Sequence, residues 1–186
     1  MTIDLSQTGG EAGREDTQWF TQDLAATALT LAQGFTDRSW LDVGAGLARS
    51  KQRIERHKFT VSTQDTAPGL PVDYTDTIAA LSARKRFDVV SAFDVIEHIP
   101  TMDMLKAFLY DLRRLARAYV VVSTPFNAPS PYHYHVWGAG EVGAITQGLG
   151  ALQCAYALHD GFVQRVNQAS QMEQHGAFAG LLIYKC

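Results

Sequence analysis

Cysteine is scarce in this chain of 186 residues, with only Cys154 and Cys186. Their separation offers no Cys-x-x-Cys pair for a metal and no disulfide framework. A zinc ribbon and a disulfide-stapled scaffold are therefore excluded, and a reducing, cytoplasmic setting is expected. Long apolar runs are missing too. No stretch of about 18 apolar residues could cross a bilayer, and the first residues lack the basic-then-apolar order of a secretion signal. Neither sign of charge is in large excess. The formal net charge is −3, so no overall field draws the chain to nucleic acid or to a membrane. No internal repeat is visible.

What is present suffices for one domain. Hydrophobic residues make up 46% of the chain, and a chain of this size can bury a real core. Residues 1–14 are polar, with Gly9, Gly10 and Gly13, and read as a mobile arm ahead of a single domain spanning 15–186. Asp16 is a candidate N-cap for a helix in which Phe20, Leu24, Ala28, Leu31 and Phe35 recur at helical spacing, with Gly34 as the stop. Trp19 and Phe20 are expected to pack in the core.

The chain is organised around Trp40–Gly46, which reads WLDVGAG. Trp40, Leu41 and Val43 predict a short buried strand, and Gly44-Ala45-Gly46 a tight turn into a helix from about Leu47 to His57. In an open parallel sheet, ligands bind where strands end and helices begin. Glycine there lets the backbone turn sharply and approach a ligand closely. The dinucleotide fingerprint needs a third glycine three positions on, and that position is Arg49. This argues against NAD and FAD. Asp42, just before the turn, suits a ligand with a cationic amino group. The cations Arg49, Lys51, Arg53, Arg56 and Lys58 read as a solvated helix face, because no aromatics interleave with them.

Farther on, Phe87–Ala92 is a near-continuous apolar run, as expected of a central parallel strand. Asp94, Glu97 and His98 follow at its carboxyl end. LDVGAG together with FDVVSAFDVIEHIP (Phe87–Pro100) resembles the first and fourth motifs of the class I S-adenosylmethionine-dependent methyltransferases, most closely the small methyltransferase-domain enzymes. The likeness covers roughly Ser39–Phe126.

The resemblance implies a three-layer α/β sandwich, Rossmann-like, with a mostly parallel seven-stranded sheet closed by a C-terminal antiparallel strand. Leu152–Leu158 and Phe178–Tyr184 are then the last two strands, the antiparallel pair that closes the sheet, and the polar segment Gln164–Gly176 is an exposed hairpin connection. It implies S-adenosylmethionine as cofactor and S-adenosylhomocysteine as product. Asp42, Gly44, Ala45, Gly46 and Asp94 would line the cofactor site. Asp65, about 20 positions past the glycine turn, would hold the ribose, with an Asx turn as its other reading. Asp76, preferred over Asp73, would face the adenine, or else cap the helix that begins near Ile78. His98 is the candidate base, with His133 and His135 as alternates. Those two lie in the loop FNAPSPYHYHVW, expected to line an acceptor pocket. On an extended segment they would face the same way, but no third ligand accompanies them, and no metal is expected.

The expected activity is methyl transfer to a small or medium-sized acceptor through an O- or N-nucleophile. Two alternatives are a nucleic-acid methyltransferase and a catalytically silent protein that binds S-adenosylmethionine. Against the first, FDVIEH stands where amino-directed nucleic-acid enzymes carry Asn/Asp-Pro-Pro-Tyr/Phe. Aminopropyl transfer needs paired acids for a cationic amine, and no convincing pair is found.

Overall fold

The structure, a computed structural model, describes residues 2–4, 14–33, 38–159, 162–174 and 176–186. The strands are β1 (Thr2–Asp4), β2 (Ser39–Val43), β3 (Thr60–Gln64), β4 (Phe87–Phe93), β5 (Ala116–Pro125), β6 (Ala151–His159), β7 (Phe162–Val166) and β8 (Ala179–Lys185). The helices are α1 (Arg14–Gln33), α2 (Ser50–Glu55), α3 (Ile78–Ser82), α4 (Met102–Leu115), α5 (Ala139–Thr146) and α6 (Ser170–Gln174). One sheet carries all eight strands in the order β1-β7-β6-β8-β5-β4-β2-β3.

The expected parallel half is present, as is the antiparallel pairing of the last two predicted strands, here β6 and β8. The expected mostly parallel, seven-stranded sheet is corrected to eight strands among the described residues, with more antiparallel than parallel pairings. β3, β2, β4 and β5 pair in parallel. Beyond β5 every pairing is antiparallel, through β8, β6, β7 and β1, so the sheet is mixed. For β6 and β7 the cause is the length of the connection. Only residues 160 and 161 separate β6 from β7, far too few for the crossover that a parallel pair requires. Part of the segment read as an exposed connection is therefore strand. At the opposite edge, Tyr74 adds a single parallel bridge to Gln64.

Strand alternation sorts the core onto two faces. Leu41, Val43, Val90, Ala92, Val120 and Val122 face α3, α4 and α5, with Leu81, Leu105, Leu112 and Val142 packed on them. Trp40, Val89, Phe93, Tyr119 and Val121 face α1 and α2, with Leu24, Leu29 and Ile54. This is the expected three-layer α/β sandwich. Thr101 caps α4 by accepting from the Met104 amide at 3.3 Å, which satisfies one of the helix's unpaired donors.

Near the N-terminus, Thr2–Asp4 of the segment read as an arm pair with β7, and α1 begins at Arg14, so Asp16 falls inside the helix rather than at its cap. Residues 5–13, Gly34, Phe35 and the side chains of Trp19 and Phe20 lie outside the described residues. The buried face of α1 is built on Ala25, Ala26, Ala28 and Leu29, while Leu31 is 75% exposed.

Candidate active site

β2 delivers the chain to Gly44 (φ +69°) and Gly46 (φ +53°), left-handed conformations that glycine adopts without a Cβ penalty. At Gly44 a Cβ would stand 2.6 Å from Val95 Cγ2, so the turn after β2 packs directly on the turn after β4. At Gly46 a Cβ would meet nothing within 4 Å; that side of the turn is open. The turn is tied to the end of β3. Ala45 N donates to the Gln64 carbonyl at 3.0 Å, and Gly46 N to Asp65 Oδ2 at 3.0 Å. The other Asp65 oxygen accepts from Ala67 N at 2.9 Å, an Asx turn. One carboxylate thus shapes its own turn and holds the glycine loop.

Beneath the turn, Asp42 is 3% exposed. It accepts from the hydroxyls of Ser50 and, at 2.7 Å, Ser91, and Ser91 in turn accepts from Trp40 Nε1 at 2.8 Å. Burial pushes the Asp42 carboxyl up to about 6, against the pull of the two serine hydroxyls. A cavity of about 290 Å³ opens above it, lined by Asp42, Gly44–Gly46, Ser50, Phe93, Asp94 and Gln22 of α1. The buried Oε1 of Gln22 has no hydrogen-bond partner among the described residues. A larger, open hollow of about 580 Å³ follows the outer face of α2. Its cations Lys51 and Arg53 pair with Asp73 and Asp23, so the basic run is a solvated face with local acidic partners.

β4 ends at a second turn. Asp94 has φ +52°, a conformation that Asp tolerates better than most residues. It is held there by Ser123, which accepts from Asp94 N through its carbonyl at 3.0 Å and donates its hydroxyl to Oδ1 at 2.8 Å. A short 3₁₀ turn, Ile96–His98, then directs Glu97 inward and His98 outward. Glu97 is 1% exposed, with Oε2 accepting from Thr124 Oγ1 at 3.1 Å. Burial, and then the Asp94 charge, push its carboxyl up to about 8.

The loop after β5 folds back onto this turn. Tyr134 N and His135 N both donate to the Glu97 carbonyl, at 2.8 and 3.3 Å. This brings the His133 ring to 4.9 Å from the His98 ring. The two loop histidines part company, because the segment is a turn rather than an extended strand: His135 stacks on Trp137, centroids 4.6 Å apart.

Of the residues expected to bind cofactor, Asp42, Gly44, Ala45, Gly46 and Asp94 share the cavity, and Asp65 supports it through Gly46. Asp76 stands apart, ion-paired with Arg84 at 3.0 Å. Thr77, not Asp76, caps α3. Asp73 turns back to the Thr63 amide at 2.9 Å and to Lys51. Sequence reasoning missed Gln22, Ser50, Ser91, Ser123 and Thr124. For Ser91, Ser123 and Thr124 the available signal was a small hydroxyl residue inside an apolar strand, where an unpaired hydroxyl would be costly; Gln22 on α1 and Ser50 on α2 carried no such signal.

The fold matches solved structures along nearly its whole length. An S-adenosylmethionine-dependent methyltransferase from Clostridium acetobutylicum matches with a TM-score of 0.69 at 8% identity, over 92% of this chain and 93% of that one. Magnesium protoporphyrin IX methyltransferase from Synechocystis, with S-adenosylhomocysteine bound, gives 0.63 at 13%, over 95% and 89%. The N-methyltransferase NodS from Bradyrhizobium japonicum, also with S-adenosylhomocysteine, gives 0.63 at 14%, over 98% and 92%. Identities this low establish the fold, which is that of the S-adenosylmethionine-dependent methyltransferases. No family model and no curated protein matches the sequence. Among the described residues, no helix is long and apolar enough to cross a membrane.

Proposed function

We propose that this chain is an enzyme that moves the methyl group of S-adenosylmethionine to an oxygen or nitrogen of a small or medium-sized acceptor, releasing S-adenosylhomocysteine. The observation that carries the proposal is the cavity at the carboxyl ends of β2 and β4. It has an acid-floored glycine turn on one side and Gln22 of α1 on another. Asp42 suits an ammonium group, and the open side of Gly46 suits a ligand lying against the backbone. Asp65 and Asp94 are the acids proposed for the ribose and the rest of the nucleoside. Solved structures of this fold with S-adenosylhomocysteine bound support the choice of cofactor.

The sulfonium already makes the methyl carbon electrophilic, so alignment is the protein's main task. A hydroxyl or protonated amine must also lose a proton. Glu97, His98 and His133, gathered at the end of β4, are the groups placed to promote that loss. The cytoplasm is the proposed compartment, supported by two free thiols.

Calorimetry on the purified protein tests the reading. S-adenosylmethionine and S-adenosylhomocysteine should bind and NAD should not. Tight NAD binding, or binding of neither sulfur compound, would overturn it. Binding without turnover on any acceptor would favour the catalytically silent alternative.

A further inference from the structure

Glu97, His98 and His133 come from two segments and meet at one point. Their candidate ligand atoms, one from each residue, all lie within 4.8 Å of one another. The orientation of the two imidazoles is the telling feature. His98 Nδ1 faces the Tyr132 carbonyl at 2.8 Å, and His133 Nδ1 faces the Ala128 carbonyl at 2.8 Å. A carbonyl only accepts, so each Nδ1 carries a proton, and in the neutral ring Nε2 is the nitrogen left with a lone pair. Metal-binding histidines have this arrangement, with the remote ring N–H held by a backbone carbonyl or carboxylate. The third donor is the buried Glu97 carboxylate, whose Oε1 stands 4.0 Å from His98 Nε2. Thr124 holds its other oxygen.

We propose that Glu97, His98 and His133 form a binding site for one divalent transition-type cation such as Zn²⁺, Mn²⁺ or Co²⁺. Two nitrogens and one carboxylate oxygen favour these ions over Mg²⁺ and Ca²⁺, which prefer oxygen throughout. Ligand bonds of ~2.0–2.2 Å draw such donors to about 3–3.5 Å from one another, so the side chains close in by about 1 Å when the ion binds. His98 is exposed and His133 sits on a loop, which gives both that freedom.

Three protein ligands leave a coordination position for an exogenous oxygen. A cation there lowers the pKa of a hydroxyl bound to it, which makes an oxygen-bearing acceptor the class served. The methyl transfer that would use that oxygen rests on the function proposed above; the cation site itself does not. The link to the cofactor cavity is Asp94, which lines the cavity and acts electrostatically on Glu97.

The test is to titrate Co²⁺ alone into metal-free protein with no sulfur ligand present, following its visible d–d absorption, and to measure S-adenosylhomocysteine binding by calorimetry in parallel samples. One equivalent of Co²⁺ should bind and develop the band. His133→Ala and His98→Ala should each weaken Co²⁺ by at least about 10–100-fold with an unchanged circular-dichroism spectrum, while His135→Ala should keep it. No saturable Co²⁺ binding, or a band that survives both substitutions, overturns the site. Should S-adenosylhomocysteine bind while Co²⁺ does not, the cation site alone fails; should Co²⁺ bind while the sulfur compounds do not, the cofactor reading alone fails.

Discussion

The turn after β2 and the turn after β4 pack against each other, yet they are built on opposite plans. Around the first turn the carboxylates, Asp42 inside β2 and Asp65 just past β3, are committed to the protein. Asp42 is held by Ser50 and Ser91, and Asp65 by Gly46 N and Ala67 N. After β4 the carboxylates are held as well, Asp94 by Ser123 and Glu97 by Thr124, but the protein fixes only the Nδ1 side of each imidazole, and it gathers one donor atom from each of Glu97, His98 and His133 within 4.8 Å. The first plan makes a rigid mould and the second keeps reactive atoms available. Preorganisation of this kind lowers the ordering cost of binding. Damage to the β2 side should therefore appear in affinity, and damage to the β4 side in turnover.

The largest expected effect is on turnover. His98→Ala should lower kcat by ~10²–10⁴-fold, the range for losing a group that handles a proton in the transition state, with S-adenosylhomocysteine affinity nearly unchanged. An affinity loss with kcat spared at saturation would erase the division between the two turns.

Next comes pH. The Asp42 carboxyl is raised from 3.8 to about 6 in the fold. Its contribution to stability is complete below the unfolded value and is lost as pH rises through about 6. The loss is about 3 kcal/mol for the ligand-free protein. Glu97, raised from 4.5 to about 8, adds a second loss that extends to higher pH, so the comparison of interest is with Asp42→Asn, which should lack the lower step in urea titrations. Cofactor affinity should run the other way, climbing through pH 6 as Asp42 ionises toward the ammonium. A flat affinity profile would remove Asp42 from the cofactor's charged end.

Asp65→Ala comes third, with an expected loss of about 1.5–3 kcal/mol of cofactor binding, the range for hydrogen bonds to a charged group. Part of that loss is indirect, since the substitution also releases Gly46 N. Asp65→Asn separates the parts: its side-chain oxygens are reduced to one, which can keep either the loop or the ribose. Affinity unchanged in both variants would leave Asp65 a turn residue only.

The same division governs what the sequence made legible. WLDVGAG and the Phe87 run announced strand, turn and site, because buried parallel strands read as continuous apolar stretches and a ligand turn needs glycine. Asp42 and Asp65 were visible as acids at the strand ends. β7 was invisible: in FVQRV only Val163 and Val166 are buried, a spacing that matches no strand alternation. The inner face of α1 was misread through Leu31, because alanines packed close to a sheet carry little hydrophobic signal. The meeting of His98 with His133 was beyond any local pattern. It depends on Tyr134 and His135 amides reaching the Glu97 carbonyl across the sheet end, a long-range contact that side-chain spacing does not encode. For the same reason His133 and His135 looked like a pair and are not one.

The smallest expected effect concerns Asp76, which the resemblance placed at the adenine. Its carboxylate is 46% exposed and lies 3.0 Å from Arg84, and its backbone carbonyl, not its side chain, anchors the neighbouring segment by accepting from Gln64 Nε2 at 2.8 Å. Removing the side chain leaves that backbone contact in place. An exposed ion pair contributes ~0–1 kcal/mol, and screening by salt reduces it further. Asp76→Ala should therefore change S-adenosylhomocysteine affinity by less than about twofold and shift the urea midpoint only slightly, with both effects shrinking as salt is raised. A tenfold loss of affinity would show that Asp76 leaves Arg84 for the nucleoside when ligand binds. The mould would then be completed by the ligand rather than finished in advance, and the contrast between the two turns would have to be redrawn.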